Sequence, residues 1–202
     1  MAVNDLVGLF VKLFLLLTPF FVLSVFVTLC DGMECAAKRR LAIRTTFAIW
    51  VVCVIIYFFG DTIFKYLGLT LDAFQVGAGI LLLLSGIELV RGTSVGGVRR
   101  ADPSGDFSVV PLAIPYTVGP GTIGTLLVMG ASANSMQTRL MVLAAITTAV
   151  VAIGVLLIFA DALERVLRRK GLDILSKLTG LFLAAMASQL ILGGMRNVLF
   201  KN

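Results

Sequence analysis

The chain has 202 residues, of which 59% are hydrophobic and only 14% are charged, and it carries a formal net charge of +6 with no histidine. A soluble globule of this size cannot bury so large an apolar fraction, so the composition excludes a soluble protein and predicts an integral membrane protein. The positive charge does not indicate nucleic-acid binding, because the basic residues lie between apolar segments and not on one folded face.

Six apolar segments follow one another along the chain, and each is close to the ~20 residues that an α-helix needs to cross a bilayer. Because they are continuous and not alternating, they predict helices and not the strands of a membrane β-barrel. We therefore expect an all-α integral membrane protein with six transmembrane helices. The predicted spans are Leu6–Cys30, Leu41–Phe59, Ala73–Val90, Val109–Met129, Leu140–Ala160 and Leu178–Leu199.

The basic residues predict how the chain lies in the membrane. Twelve of the 17 fall after spans one, three and five, and the other five fall on the opposite side. By the positive-inside rule the three rich loops are cytoplasmic, so both termini of this multi-pass protein face outward. If spans one and four were re-entrant hairpins, eleven basic residues would share one side. Charge alone therefore leaves that alternative open.

The two halves of the chain resemble each other. Pro19 and Pro120 both lie inside apolar runs, and they are 101 residues apart, which is half the length of the chain. Three spans per half is an odd number, so the second copy crosses the membrane in the opposite sense. We predict a 3+3 inverted repeat, the architecture of many secondary transporters, with repeats 1–92 and 109–202 and a cytoplasmic linker 93–108. The same offset pairs Asp72 with Asp173, Gly79 with Gly180, Leu82 with Leu183 and Gly92 with Gly193.

Helices one and four are predicted to break near Pro19 and Pro120. Proline removes a hydrogen-bond donor and clashes with the preceding turn, and Pro120 lies between Gly119 and Gly121, which tolerate unusual backbone angles. The amides after such a break lack partners in hydrocarbon, and an anionic group would satisfy both the amides and the dipole of the half-helix. The alternative for either proline alone is a kink that serves only packing or gating.

Small polar side chains near the two breaks are candidates for contact with a solute. Hydroxyl groups hydrogen-bond without filling a cavity, and Gly119, Gly121 and Gly124 are expected to leave room for the solute. Gln75 cannot be solvated by lipid, so it is expected to face protein or cavity. The predicted substrate-binding residues are Thr18, Pro19, Ser24, Gln75, Thr117, Gly119, Pro120, Gly121, Thr122 and Thr125.

The sequence predicts neither an enzyme nor a metal or cofactor site. It lacks histidine, its three cysteines lack metal-ligand spacing, and paired carboxylates within the spans are scarce. A coupling ion held by backbone carbonyls would leave no residue signature. The stripe of small residues Gly180, Ala184 and Ser188 predicts close helix packing, either within the bundle or across a homo-oligomer interface.

Three stretches of the chain resemble a known family. Phe107–Ser132, which reads FSVVPLAIPYTVGPGTIGTLLVMGAS, is similar to the MarC family of small bacterial and archaeal inner-membrane proteins, and so are Gly60–Gly86 and Lys170–Met195. The PLAIP and GPG strings are the specific signature. The resemblance covers essentially the whole chain and implies six helices and transport of small neutral amino acids. The chain departs from the family at Thr18, where Asn or Asp is typical before the proline, and at Gln75, where arginine is typical.

These features predict a secondary transporter of small neutral amino acids or similar small polar solutes, working by alternating access in the inner membrane of a bacterium or archaeon. Its expected partners are the solute and the lipid bilayer, without nucleic acid. The alternative is a passive channel or an exporter for small polar metabolites, in which the same breaks form a constriction.

Overall fold

A computed structural model of the chain describes residues 2–30, 32–68, 70–92, 118–133 and 135–200. Over these residues the chain forms seven helices and no strand. The predicted linker 93–108 and the start of the predicted fourth span, as far as Thr117, lie outside the described residues. The helices are α1 (Ala2–Leu16), α2 (Pro19–Leu29), α3 (Cys35–Leu67), α4 (Leu71–Arg91), α5 (Pro120–Ser132), α6 (Met136–Ile158) and α7 (Ala160–Phe200).

Four of these helices are long and apolar enough to cross a membrane alone, namely α3, α4, α6 and α7. α1 and α2 together form a fifth candidate span, with a bend of 41° between them. α5 by itself is shorter than a span. The predicted class of all-helical membrane protein is confirmed. The described part of the chain contains four or five of the six predicted spans, so the six-helix inverted repeat stays a prediction.

α7 joins a predicted loop and a predicted span in one helix of 41 residues. The basic segment before Leu178 was expected to be a loop, and that interpretation is wrong. This segment contains one glycine, Gly171, and no proline that would end the helix. Asp173 and Lys177 are one helical turn apart, and their ion pair of 2.9 Å stabilises the helix. α3 likewise extends past its predicted span at both ends.

α4 and α7 pack against each other along their lengths, and they are antiparallel. The contacts run from Gly194 against Asp72, at the start of α4, to Gly180 against Gly86, near its end. A Cβ atom on Gly86 would lie 2.7 Å from the Gly180 carbonyl oxygen and 3.0 Å from the Ala184 amide nitrogen, so this position accepts no side chain. Gly180 and Ala184 of the small-residue stripe therefore pack within the bundle.

The remaining helices surround this pair. α5 packs against both α3 and α4, α2 packs against α7, and α1 packs against α6. α3 and α6 are joined by a hydrogen bond of 3.1 Å from the Trp50 indole nitrogen to the Thr147 hydroxyl. The fully buried apolar side chains of the core include Leu13, Leu16, Leu23, Phe26, Ile146 and Ile153.

Candidate functional site

The first span is interrupted between Leu16 and Pro19, as predicted. Pro19 is the first residue of α2, so it has no amide to donate, and it disfavours the helical conformation of the residue before it. That residue, Thr18, has φ 48° and ψ 55°, and it is the only non-glycine residue with a positive φ in the described chain. A left-handed β-branched residue costs on the order of 1–3 kcal/mol. The surrounding packing, and not local preference, therefore holds the break.

α5 begins at the second predicted break. Gly119 is extended, with φ −73° and ψ 172°, and Pro120 is the first helical residue, a position where proline sacrifices no helical hydrogen bond. The Gly119 carbonyl accepts the hydrogen bond of the Ile123 amide at 2.9 Å. Because Gly119 has no side chain to cap the helix, the amides of Gly121 and Thr122 must find partners outside the helix.

The interruption of the first span and the start of α5 meet through Thr122. Its hydroxyl donates to the Leu16 carbonyl oxygen over 3.2 Å, and the residue is only 5% exposed. Leu16 is the last residue of α1, so its carbonyl belongs to the group that a helix end leaves without a helical partner. The end of α1 and the starts of α2 and α5 therefore lie together. We call Leu16, Thr18, Pro19, Gly119 and Thr122 the break junction.

The break junction lies near mid-height of the bundle. α4 has 21 residues and is about 32 Å long, close to the ~30 Å thickness of the hydrocarbon core. Gly121 contacts Leu82, in the middle of α4, so α5 starts halfway along a full span. With 11 and 13 residues, α2 and α5 are each about 16–20 Å long. Each is therefore about half as long as a span and has its N-terminus at mid-height.

The hydroxyl of Thr18 has no hydrogen-bond partner among the described residues, although only 8% of the residue is exposed. A buried polar group without a partner costs on the order of 1–3 kcal/mol. Thr18 directly precedes Pro19, so this hydroxyl lies at the N-terminus of α2, where a polar solute would satisfy it.

The glycines of α5 accommodate α4 and not open space. A Cβ atom on Gly121 would lie 2.6 Å from Leu82 Cα, and one on Gly124 would lie 2.5 Å from Ala78 Cβ. The space predicted for a solute at these two residues is filled by α4. Gly119, which directly precedes α5, is half-buried.

The hydroxyls of Thr125 and Ser24, which were also predicted to bind the solute, form no hydrogen bond to another helix among the described residues. Thr125 is buried, and its hydroxyl donates to the Gly121 carbonyl one turn earlier in α5 at 2.8 Å. Ser24 is half-buried in α2, more than one turn after Pro19. Thr117 lies outside the described residues.

Gln75 lies away from the break junction. It belongs to the first turns of α4, seven residues and about 10 Å before Leu82. Its side chain is next to α7, where a Cβ atom on Gly194 would lie 3.1 Å from Gln75 Cβ and one on Gly193 would lie 3.9 Å from Gln75 Oε1. The structure therefore places the Thr122 hydroxyl on the carbonyl of Leu16, two residues before Thr18, and places Gln75 at the contact between α4 and α7.

Sequence reasoning missed the contributions of Leu16 and Leu82. Leu16 contributes a backbone carbonyl, and Leu82 contributes the backbone surface against which α5 starts. Neither role depends on the side chain, so neither leaves a residue-type signal. The only sequence hint was the pairing of Leu82 with Leu183 at the 101-residue offset.

The chemistry of the break junction is that of hydrogen bonds and helix dipoles. It contains hydroxyl, proline, glycine and apolar side chains, and no titratable one. Among the described residues no cluster of three or more histidine, cysteine, aspartate or glutamate residues is arranged to hold a metal ion. The groups available to a ligand are therefore the amides at the helix starts, the Thr18 hydroxyl, and the remaining lone pairs of the Leu16 carbonyl and the Thr122 hydroxyl.

Comparison with known proteins gives a family and a set of relatives. The family model described as MarC family integral membrane protein matches residues 3–199. A UPF0056 membrane protein of Methanocaldococcus jannaschii is 31% identical over 195 residues, covering 94% of this chain and 95% of that protein. A UPF0056 membrane protein of Aquifex aeolicus is 30% identical over 201 residues, covering 95% and 94%. The UPF0056 inner membrane protein YhgN of Escherichia coli is 27% identical over 193 residues, covering 96% and 97%. No solved structure matches the chain.

Proposed function

The chain belongs to the MarC family of integral membrane proteins, and on this premise we propose that it is a secondary transporter of small neutral amino acids or similar small polar solutes. It works by alternating access in the inner membrane of a bacterium or archaeon, with both termini outside. The names of its relatives give the membrane and, for YhgN, the inner membrane, but no substrate. The observation that carries the proposal is the break junction.

The break junction is complementary to a zwitterion. The starts of α2 and α5 present amides and the positive ends of two helix dipoles, which favour a carboxylate. The end of α1 at Leu16 presents the negative end of a dipole, and the Leu16 carbonyl oxygen, which already accepts from Thr122, has a second lone pair; both favour an ammonium group. The Thr18 hydroxyl adds a hydrogen-bonding group that has no protein partner among the described residues. An α-amino acid carries both charged groups on the same carbon atom.

The packing around the junction favours a small, neutral side chain. α4 fills the space beside Gly121 and Gly124, so a solute has little room on that side. The junction contributes no charged side chain that would pair with an acidic or basic substrate. Glycine, alanine and serine therefore fit the proposal better than larger or charged amino acids.

A 3+3 inverted repeat is part of the proposal. If the two halves are equivalent, each contact between them should recur with the partners exchanged between halves. At the 101-residue offset Gly86 corresponds to Ala187 and Gly180 corresponds to Gly79, so the contact of Gly86 with Gly180 predicts a contact of Ala187 with Gly79. A Cβ atom on Gly79 would lie 3.0 Å from the Ala187 carbonyl oxygen. In the same way the packing of α2 on α7 corresponds to the packing of α5 on α4. Such exchanges are expected of two antiparallel copies with an axis between α4 and α7.

Uptake into liposomes tests the proposed function. We expect the purified protein to accelerate uptake of radiolabelled glycine, alanine or serine, with saturation and with counterflow from preloaded liposomes. Thr122→Val should reduce this uptake, and Thr148→Val is the matched control because Thr148 is exposed on α6 and bonds only its own helix. Flux that rises linearly with concentration would indicate a pore. Flux equal to that of empty liposomes for the whole panel would overturn the proposal.

A further inference from the structure

An apolar groove of about 410 Å³ runs along the outside of the bundle between α3 and α6. It is distinct from the break junction, because its walls come from two other helices. α3 contributes Ile43, Thr46, Phe47 and Trp50, and α6 contributes Thr147, Val150, Val151, Gly154, Val155 and Ile158.

The polar atoms of this groove are already engaged, so it offers an occupant almost only apolar surface. The Thr46 hydroxyl donates to the Ala42 carbonyl at 2.7 Å, and the Thr147 hydroxyl donates to the Leu143 carbonyl at 2.9 Å. The Trp50 indole nitrogen donates to Thr147 at 3.1 Å. An occupant of the groove is therefore a hydrocarbon chain and not a polar solute.

The groove has the length of one leaflet. Its α6 wall runs from Thr147 to Ile158, which is about 16 Å, and half of a ~30 Å hydrocarbon core is about 15 Å. The floor is closed where Gly154 meets α3, since a Cβ atom there would lie 2.7 Å from Thr46 Cγ2. The outer walls, including Phe47 and Val151, are exposed.

One end of the groove is basic. Arg39 and Arg40 precede Ile43 by four and three residues, so they lie on the same face of α3, one turn beyond the groove. Both are exposed, as is Arg44. By the positive-inside rule this is the cytoplasmic end, where anionic lipids attract lysine and arginine.

The acidic residues at this end do not neutralise that cluster. Asp161, at the start of α7, is bonded to Lys38 at 2.8 Å. Glu164 lies one turn further along α7. Glu34 is exposed before the first turn of α3. None of the three arginines forms an ion pair in the salt bridges between described residues.

The geometry points to a binding site for an anionic phospholipid of the cytoplasmic leaflet, with one acyl chain in the groove between α3 and α6 and the phosphate at Arg39 and Arg40. A second copy of the chain fits this surface less well. A two-fold dimer across the groove would bring two identical basic clusters towards each other without an acidic counterpart.

The test compares lipids by native mass spectrometry and by thermal unfolding of the full chain in detergent. We expect phosphatidylglycerol to bind and to raise the melting temperature more than phosphatidylcholine with the same acyl chains. Arg39→Gln combined with Arg40→Gln should weaken phosphatidylglycerol binding by about five-fold per arginine. Val151→Trp should block the groove and weaken binding of the same lipid while leaving the fold intact, since Val151 is 55% exposed.

Two matched controls separate the site from general effects. Arg91→Gln combined with Arg196→Gln changes the net charge equally at exposed positions on α4 and α7, and Val198→Trp adds the same ring at an exposed position of α7. Both should retain the preference for phosphatidylglycerol. Equal binding of the two lipids, or full binding by the Arg39/Arg40 variant, would overturn the inference. So would a Val151→Trp variant that loses no lipid but changes from dimer to monomer by light scattering.

Discussion

The ammonium group of Lys38 lies 2.8 Å from a carboxylate oxygen of Asp161, and this contact connects the start of α3 with the start of α7. At the far end of α7, the Asn197 amide donates to the Asp72 carboxylate, at the start of α4, at 2.9 Å. α7 is therefore attached to the first half of the chain at both ends. In the proposed transport cycle, rearrangement of the two halves requires at least one of these contacts to open.

The first prediction concerns Asp161→Asn, which removes the charge and keeps the shape of the side chain. The side chains of Lys38 and Asp161 are 22% and 45% exposed, so loss of the pair should cost less than about 1 kcal/mol of stability. We expect a small drop in melting temperature and a faster maximal rate of uptake, because a contact that the proposed transport cycle would have to open is weakened. Asp173→Asn is the control, since its ion pair with Lys177 lies within α7. An unchanged rate would contradict a gating role for this contact.

The second prediction concerns Thr122→Val. The substitution leaves the buried Leu16 carbonyl without its donor, so the free energy of unfolding should fall by about 1–3 kcal/mol. Thr125→Val is the comparison, because the Thr125 hydroxyl bonds a carbonyl of its own helix and its loss leaves no helix end unsatisfied. Chemical denaturation in detergent measures both. Equal stability losses for the two variants would show that the hydrogen bond between α5 and the end of α1 contributes nothing specific.

The third prediction concerns Thr18→Val, which deletes a buried hydroxyl without a partner and keeps the β-branched shape. Stability should be unchanged or rise by about 1 kcal/mol, because the buried polar atom is gone. Solute affinity should fall about tenfold, because one hydrogen bond to a charged group contributes about 1.5 kcal/mol of binding free energy. Isothermal titration with glycine, alanine and serine measures this change. A destabilised variant with unaltered affinity would assign the hydroxyl a structural role instead.

The fourth prediction concerns Gly121→Ala. A methyl group there would lie 2.6 Å from Leu82 Cα, and since the clash is with backbone, a smaller side chain at position 82 cannot relieve it. We expect a loss of about 1–3 kcal/mol that Leu82→Ala does not rescue. Gly77→Ala is the control, because nothing lies within 4 Å of that site, and it should be neutral or stabilising. Thermal unfolding of both variants decides the point, and rescue by Leu82→Ala would show that α5 can shift on α4.

The helical class and the position of the first break could be predicted from the sequence, because both follow from strong local signals. Long apolar segments must satisfy their backbone in hydrocarbon, and proline has no amide to donate. The interruption at Pro19 and the start of α5 at Pro120 follow directly. The basic segment before Leu178 was wrongly predicted to be a loop because of its charges. Most of its residues are good helix formers, and the segment is the first part of α7.

The contacts of the candidate site were harder to predict, because they depend on which backbone surfaces meet. Glycine at positions 121 and 124 is compatible with either a cavity or a close helix contact, and only the position of α4 distinguishes the two. Thr122 was identified as polar and near a break, but its partner is a backbone carbonyl that every residue has. Gln75 was identified by polarity alone, and polarity does not specify the facing helix.

The continuity of α7 has a mechanical consequence. Asp161 and Gly180 belong to one uninterrupted helix and are separated by about 28 Å along its axis. In the proposed transport cycle α7 would act as a lever: a slight tilt where it touches Gly86 would move the segment around Asp161 through a proportionally larger arc. Spin labels on that segment would then report motion at the contact between Gly86 and Gly180, which lies within the membrane-spanning part of the proposed topology, from a position about 28 Å away along the helix.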